Sequence, residues 1–314
     1  MRRYRDYNGY LREIFGERVQ KIPIDAGLSC PNRDGTISRE GCIFCDSRGS
    51  GTGAWSEGGL SIREQVLRGR KFAEQRYGAR KFIAYFQSFT NTYGPVGLLK
   101  GLYDEALDHE GMVGLAVGTR PDCVDREVIE LLAHYGKRTL VWIEYGLQSA
   151  HNATLSRINR GHDVRAFERA VLESARHGLN VCAHVILGLP GEDREMMMGT
   201  ARFLGSLPVR GVKIHLLYVV KGTRLASLYE DGACRVLEQG EYIDLVVDFL
   251  EYLPSNMVVQ RLTGDPPPQD LIAPRWAMNK SENLRLIKRR LEERDTWQGK
   301  KCKSSITGSS LGRA

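Results

Sequence analysis

The sequence has no long apolar run. No part of it approaches the roughly 18 consecutive apolar residues of a membrane-spanning helix, and its first fifteen residues contain no stretch like a secretory signal. We therefore expect a cytoplasmic protein with no membrane association. Its seven cysteines form an odd set without a regular disulfide framework, which fits a reducing compartment where thiols bind metals.

Two sequence signals of other protein classes are also missing. No glycine-rich dinucleotide fingerprint follows the first predicted strand, residues 19–25, and no internal repeat is present beyond alternating strands and helices. The composition, 42% hydrophobic and 26% charged over 314 residues, is ordinary for a globular protein. We expect one large domain with an extension.

Three of the seven cysteines lie within sixteen residues, at positions 30, 42 and 45. Cys42 and Cys45 are separated by two residues, so both sulfurs can leave one tight turn toward a common centre. The chain between Cys30 and Cys42 is long enough to fold back, and residues 32–35, Asn-Arg-Asp-Gly, are typical of the turn that would do so. This segment predicts a metal site.

The number of ligands bears on which metal the site holds. A structural zinc ion needs four protein ligands, and the nearest later candidates are His109 and Cys123, far along the chain. Three cysteines instead suit a 4Fe-4S cluster with one iron left open for a small chelating molecule. A zinc site completed from a distance, or three unrelated thiols, are the alternatives.

Strand-like and helix-like segments alternate along the chain. Capping and periodicity predict helices from Ser61 to near Gly78 and over residues 95–107, 125–136, 163–177 and 192–204. Strands are predicted at residues 19–25, 81–87, 112–118, 139–145, 180–187 and 212–219, with a last strand at 257–262. Such alternation predicts an α/β fold of parallel strands, closed as a partial TIM-type barrel over residues 19–262. A doubly wound open sheet is the alternative.

Polar sequences follow the predicted strands. In parallel α/β folds the chemistry collects on loops after the strand carboxyl ends. Those positions hold residues 87–92, 119–123, Glu144 with Gln148, 188–192 and 221–223. The functional site is therefore expected at this end of the sheet.

The ends of the chain differ from the predicted barrel. Residues 1–18 form an N-terminal segment, 263–302 a basic C-terminal extension and 303–314 a tail that we expect to be disordered. From Lys280 to Lys303 there are nine Lys and Arg against four Asp and Glu. This surplus indicates an RNA or phosphate-bearing partner, or a solvated helix face covering Leu284, Ile287 and Leu291.

Several motifs in this order resemble those of radical S-adenosylmethionine (SAM) enzymes, most closely the YhcC-like group, whose core is similar to that of the Elongator catalytic subunit. The resemblance extends from about residue 7 to residue 300. It is carried by Cys30-Pro-Asn-Arg-Asp-Gly, Tyr85-Phe-Gln-Ser-Phe-Thr-Asn-Thr-Tyr, Gly146-Leu-Gln-Ser, Arg157-Ile-Asn-Arg-Gly-His, His184-Val-Ile-Leu-Gly-Leu-Pro-Gly-Glu and Lys213-Ile-His-Leu-Leu.

The resemblance implies a six-stranded partial barrel, a 4Fe-4S cluster on Cys30, Cys42 and Cys45, and SAM bound to the open iron. A low-potential donor of the flavodoxin or ferredoxin type would supply the electron. By the same resemblance the cofactor-binding residues are Gln87, Ser88 and Asn91 for the methionyl amine, Glu144 or Gln148 for the ribose, Arg160 for the carboxylate, His184 near the ribose and Leu187 beside the adenine. A surface salt bridge for Arg160, a core position for His184 and a structural role for Glu144 are the alternatives.

The sequence departs from the wider family at two points. Eleven residues separate the first two cysteines instead of three, as in the YhcC-like group, and the usual Gly-Gly-Glu is absent. The resulting hypothesis is a radical SAM enzyme acting on an unidentified substrate, with RNA favoured. A small metabolite or protein side chain as substrate, or a zinc-containing RNA-binding protein, are the alternatives.

Overall fold

The structure, a computed structural model, describes residues 2–47, 49 and 59–302 of the chain. The strands are β1 (Val19–Ile24), β2 (Lys81–Phe86), β3 (Met112–Thr119), β4 (Leu140–Gln148), β5 (Asn180–Leu187), β6 (Gly211–Leu216), β7 (Val219–Val220), β8 (Val258–Arg261) and β9 (Leu271–Ala273). The helices are α1 (Tyr7–Phe15), α2 (Ile62–Tyr77), α3 (Val96–Leu107), α4 (Arg126–Gly136), α5 (Asn152–Arg157), α6 (Val164–Arg176), α7 (Arg194–Gly205), α8 (Arg224–Glu230), α9 (Gln239–Tyr252) and α10 (Lys280–Glu293), with a 3-10 turn at Arg275–Met278.

Local capping explains where the crossover helices begin and end. Ser61 and Glu64 form a capping box at the start of α2, and Gly78 ends it in the left-handed conformation at a φ of 62°. The carboxylates of Asp125 and Asp163 cap the starts of α4 and α6 by accepting from the backbone N–H groups of Val128 and Ala166. No helix in the described ranges has the length and apolar character needed to cross a membrane.

Seven parallel strands form one sheet in the order β1-β2-β3-β4-β5-β6-β8. Each crossover carries a helix on the outside, which confirms the predicted partial barrel of the TIM type. The last predicted strand is the seventh of the sheet, and the long helix α9 connects it to the rest. The carboxyl ends of all these strands therefore meet at one rim.

The N-terminal segment packs against the two edge strands, β1 and β8. Helix α1 contacts both of them, and Asp6 makes a parallel bridge with Val259 of β8. The rings of Tyr7 and Tyr10 lie edge-on to the buried indole of Trp142. This segment thus covers the side of the barrel that the sheet leaves open.

The C-terminal extension packs against the barrel through α10, which lies on α9. Ile287 and Leu291 are buried, whereas Leu284 remains 37% exposed. The arginines of α10 and its end pair with carboxylates on α10 itself and on α9, as Arg285, Arg289, Arg290 and Arg294 show. The predicted tail, residues 303–314, lies outside the described residues.

We expect Leu291→Ala to destabilise the protein by about 2–5 kcal/mol, because it removes a fully buried side chain between α10 and α9. Leu284→Ala, on the same helix, should cost less than about 1 kcal/mol because Leu284 is partly exposed. Urea denaturation of both variants measures the difference. Equal losses would mean that α10 does not dock through its Leu291 face.

Candidate active site

A cavity of about 380 Å³ opens at the carboxyl ends of the parallel strands. All three cysteines of the predicted metal site line it, together with five of the predicted cofactor-binding residues: Gln87, Glu144, Gln148, Arg160 and His184. The fold therefore brings these two sets of residues to one place.

Three predicted residues, Ser88, Asn91 and Leu187, are buried but do not line the cavity. The Asn91 side-chain amide donates to the carbonyl of Gly118 at 2.9 Å, which ties the loop after β2 to the end of β3. The carbonyl of Leu187 accepts from the backbone N–H of Leu217. In this structure Asn91 and Leu187 therefore form hydrogen bonds between neighbouring segments at the carboxyl ends of the strands.

The cysteine loop, residues 30–47, contains no helix or strand and is held by hydrogen bonds to the segment after α5. Asn32 donates to the carbonyl of Asn159 at 2.7 Å, and Asn159 donates back to the carbonyl of Gly41 at 2.7 Å. The N–H of Ile43 donates to the carbonyl of Ile158. Both asparagine side chains thus fix the position of the loop relative to β4.

Two N–H donors contact the sulfur of Cys42. Asn32 Nδ2 and Arg160 Nη1 each lie 3.6 Å from Cys42 Sγ. A hydrogen bond from Cys45 lowers the pKa of Cys42 to about 5, and the nearby guanidinium of Arg160 acts in the same direction. The thiol of Cys45 keeps the shared proton, so its pKa is raised well above the usual range.

The three cysteines line one wall without forming a single-ion site. Across the described ranges, no group of three Cys, His, Asp or Glu side chains is placed to hold one metal ion. A 4Fe-4S cluster does not require such convergence, because each thiolate binds a different iron.

Arg120 is a buried site residue that the sequence analysis included only in the polar segment 119–123, without a role of its own. It forms a bidentate ion pair with Asp122, in which Nε and Nη2 donate to the two carboxylate oxygens at 2.9 and 2.8 Å. It also donates to the backbone carbonyl of Arg160 at 2.9 Å. Arg160 in turn donates to the carbonyl of Gly146 through Nε and Nη2. The segment Thr119-Arg-Pro-Asp after β3 was the available signal, since a charged residue at a strand end often ties loops together.

Backbone strain is concentrated at the rim. Gln148 has a φ of 73° at an irregularity at the end of β4, and Phe89 has a φ of 61° in the loop after β2. Asn159, which holds the cysteine loop, has a φ of 52°. Non-glycine residues adopt this region at a cost and are enriched at functional sites.

Inside the barrel, Glu144 is the centre of a buried ion cluster. Its carboxylate accepts from Lys21 Nζ at 2.6 Å, from His184 Nε2 at 2.9 Å and from Lys213. Lys213 also donates to the hydroxyl of Tyr85 at 2.9 Å. This cluster lies beneath the rim, and Tyr85, Glu144, His184 and Lys213 form part of the cavity wall.

The pKa values of the cluster reflect burial and mutual attraction. Burial alone would raise the pKa of Glu144, but the charges of Lys21 and Lys213 lower it well below its usual range. Burial lowers the pKa of Lys213 to about 7, although the charge of Glu144 opposes this. Burial and the charge of Lys213 lower the pKa of His184 to about 4. At neutral pH Glu144 is therefore ionised and His184 neutral.

Two family models match the chain. The model described as Radical SAM superfamily matches residues 34–204, and the model described as Radical_SAM C-terminal domain matches residues 209–293. The first covers more than half of the chain and includes Cys42 and Cys45.

Curated relatives resemble the chain over nearly its whole length. The Bacillus subtilis protein YtqA is 43% identical over 95% of this chain and 92% of its own. Escherichia coli YhcC is 35% identical over 98% of this chain and 95% of its own. A Methanocaldococcus jannaschii tRNA uridine(34) acetyltransferase is 27% identical over 64% of this chain but only 36% of its own.

Among solved structures, the Methanocaldococcus infernus Elp3 protein superposes with a TM-score of 0.69. The match covers 89% of this chain and 64% of that one at 18% identity. At this identity the likeness shows a shared fold.

We expect Glu144→Gln to destabilise the protein by about 3–5 kcal/mol at pH 7, because two buried lysines lose their common counterion. Glu130→Gln, which breaks an exposed helical ion pair with Arg126, should cost less than about 1 kcal/mol. Urea denaturation of the three proteins gives the comparison.

The stability lost in Glu144→Gln should also depend on pH. The pKa of Glu144 is depressed in the folded state, so its contribution is present above its unfolded pKa and is lost as pH falls below it. The difference between wild type and Glu144→Gln should therefore shrink as the pH is lowered below roughly 4.3. A pH-independent difference would contradict an ionised Glu144.

Proposed function

Because the chain belongs to the radical SAM superfamily, we propose that Cys30, Cys42 and Cys45 each bind one iron of a 4Fe-4S cluster and that SAM binds the fourth. The single observation that carries the proposal is that all three cysteines line one cavity at the carboxyl ends of the strands. Held by the three cysteines, such a cluster would supply the electron for the reductive cleavage of SAM, chemistry that would allow hydrogen abstraction from the substrate.

The residues around the cysteines fit such a cluster. Thiolate is the form that binds iron, and the neighbouring guanidinium of Arg160 favours it at Cys42. Asn32 and Arg160 donate to the same sulfur, an arrangement that stabilises negative charge on ligands of iron-sulfur clusters. Phe44, half-buried between two of the cysteines, limits the access of water to this wall.

Arg160 has enough N–H groups to donate hydrogen bonds both to Cys42 and to SAM. A guanidinium carries five N–H groups, of which two donate to the Gly146 carbonyl and one to Cys42. Two remain for the SAM carboxylate, a pairing that charge assistance makes strong. Gln87, Gln148 and His184 line the same cavity and would contact the rest of SAM.

Gln148 is better suited than Glu144 to accept hydrogen bonds from the ribose hydroxyls. Its carboxylate already accepts from Lys21, His184 and Lys213. We therefore assign the ribose contact to Gln148, which lines the cavity in a strained backbone conformation.

We further propose an RNA substrate, a flavodoxin-type or ferredoxin-type electron donor, and a cytoplasmic location. The RNA proposal is supported by the name of the Methanocaldococcus jannaschii relative, which acts on tRNA, and by the net charge of +7. The arginines of α10 are largely paired, so other cations would have to contact the phosphates.

We expect Cys42→Ala to abolish cluster assembly while the barrel stays folded, because the cysteine loop contributes no strand or helix. The measurement is the iron and sulfide content after anaerobic reconstitution, with circular dichroism for the fold and 5′-deoxyadenosine formation for activity. Cys234→Ala, a cysteine outside the cavity wall, is the control and should keep both cluster and activity. A full iron complement in folded Cys42→Ala would contradict the ligand assignment.

If RNA is the substrate, the wild-type protein should bind bulk tRNA with an affinity that falls steeply with salt. Filter binding between about 50 and 200 mM salt should show a loss of at least tenfold. The α10 variant Arg289→Gln should bind as well as wild type, because that arginine is already paired with Glu293. No binding at low salt would leave a small metabolite or a protein side chain as the substrate.

A further inference from the structure

We propose that the inner end of the cavity, where Lys213, His215 and Tyr85 meet, binds an anionic group of the substrate, either a carboxylate or a phosphate. The inference rests on the proposed function, because it places the substrate in the same cavity as SAM.

The strand register brings donors from three neighbouring strands to one region of the barrel interior. Lys213 and His215 are two residues apart on β6, so both side chains point to the same face of the sheet. In the strand register, Lys213 lies opposite His184 of β5 and opposite Arg261 of β8. Three neighbouring strands thus present nitrogen-bearing side chains to the cavity, which all of these residues line.

The carboxylate of Glu144, the main hydrogen-bond acceptor in this region, is already occupied by protein donors, whereas some N–H donors here have no acceptor among the described residues. The Glu144 carboxylate accepts from Lys21, His184 and Lys213. A protonated Lys213 has three N–H groups, of which one donates to Glu144 and one to Tyr85. With the partners that the described residues provide, one N–H of Lys213 is left to donate.

His215 offers a second group for an incoming ligand. Within the described part of the chain, its buried Nε2 atom has no hydrogen-bond partner. Its ring stacks on that of His184, with centroids 5.1 Å apart, so its orientation is fixed. Burial lowers the pKa of His215 well below the usual range, so the ring is neutral and its N–H can donate to an anion without a charge of its own.

The charge balance favours an anion over a cation. Asp265 pairs with Arg261 at 3.2 Å, and the one charge of Glu144 is shared by Lys21 and Lys213. The inner end therefore carries a surplus positive charge when Lys213 is protonated. Burial disfavours that charge, and an anion in contact with Lys213 would raise its pKa again.

The test uses anaerobically reconstituted protein with saturating SAM and two probe anions, inorganic phosphate and succinate, titrated calorimetrically at constant ionic strength. The variants are Lys213→Met, in which Glu144 keeps Lys21 as counterion, and His215→Leu, which removes a ring whose Nε2 has no hydrogen-bond partner among the described residues. Lys221→Met is the matched control, because Lys221 is exposed and does not line the cavity.

We expect wild type and Lys221→Met to bind at least one probe with the same affinity, and both cavity variants to bind it at least about tenfold more weakly. Tighter binding of phosphate would assign a phosphate-bearing substrate, and tighter binding of succinate a carboxylate. Equal affinities in all four proteins, or probe binding that disappears when SAM is added, would overturn the subsite.

The formation of 5′-deoxyadenosine in the same preparations separates this result from the proposed function. Wild-type protein that cleaves SAM but binds no probe would refute only the anion subsite. Wild-type protein that does not cleave SAM at all would instead refute the proposed function.

Discussion

The candidate site depends on two hydrogen bonds, one from Asn32 to the carbonyl of Asn159 and one from Asn159 to the carbonyl of Gly41. The cysteine loop has no helix or strand of its own, so its position is set by contacts with neighbouring segments. Asn32 reaches the backbone of residue 159, Asn159 reaches the backbone of residue 41, and Asn32 also donates to the sulfur of Cys42. The same two side chains therefore fix the loop and polarise one of its cysteines. The strained backbone of Asn159 is consistent with a position held by its surroundings.

A second constraint acts from inside the barrel. Parallel strands usually present apolar side chains to a buried interior, but here the interior holds Lys21, Glu144, Lys213 and two histidines. Glu144 is the common partner of Lys21, Lys213 and His184, so each position depends on the others. Such a cluster gives little net stability compared with apolar packing, yet removing one member leaves an uncompensated charge. We infer that it is retained because it shapes the polar inner end of the cavity.

Much of the fold could be predicted from the sequence, because most crossover helices begin at Ser or Asp caps and strands alternate with them at regular spacing. Helix α9 escaped prediction for a physical reason. It packs against both α7 and α10, and its residues from Tyr242 to Leu250 are almost all buried except Asp244, so it lacks the single apolar stripe that identifies a surface helix. The short helices α5 and α8 contain too few turns to show a period.

The cavity-lining cysteines were predictable because their spacing is specific, whereas other site residues were not. Asn91 and Gln87 occupy similar positions after β2, yet only Gln87 lines the cavity, and no local pattern distinguishes them. Lys21 and Lys213 were missed because polar residues in a strand give no indication of which face is interior. Lysines and histidines within otherwise apolar strands were the available signal. The positive charge of the extension was also ambiguous in the sequence, because its pairing with carboxylates of α9 depends on how the two helices pack.

The central claim is that three cysteines leave one iron of the cluster open to SAM. Mössbauer spectra of protein reconstituted with iron-57, recorded before and after adding SAM, test it most directly. The account predicts that one iron in four changes its parameters when SAM binds, while the three cysteine-bound irons keep theirs. Four irons that remain unchanged by SAM would contradict it.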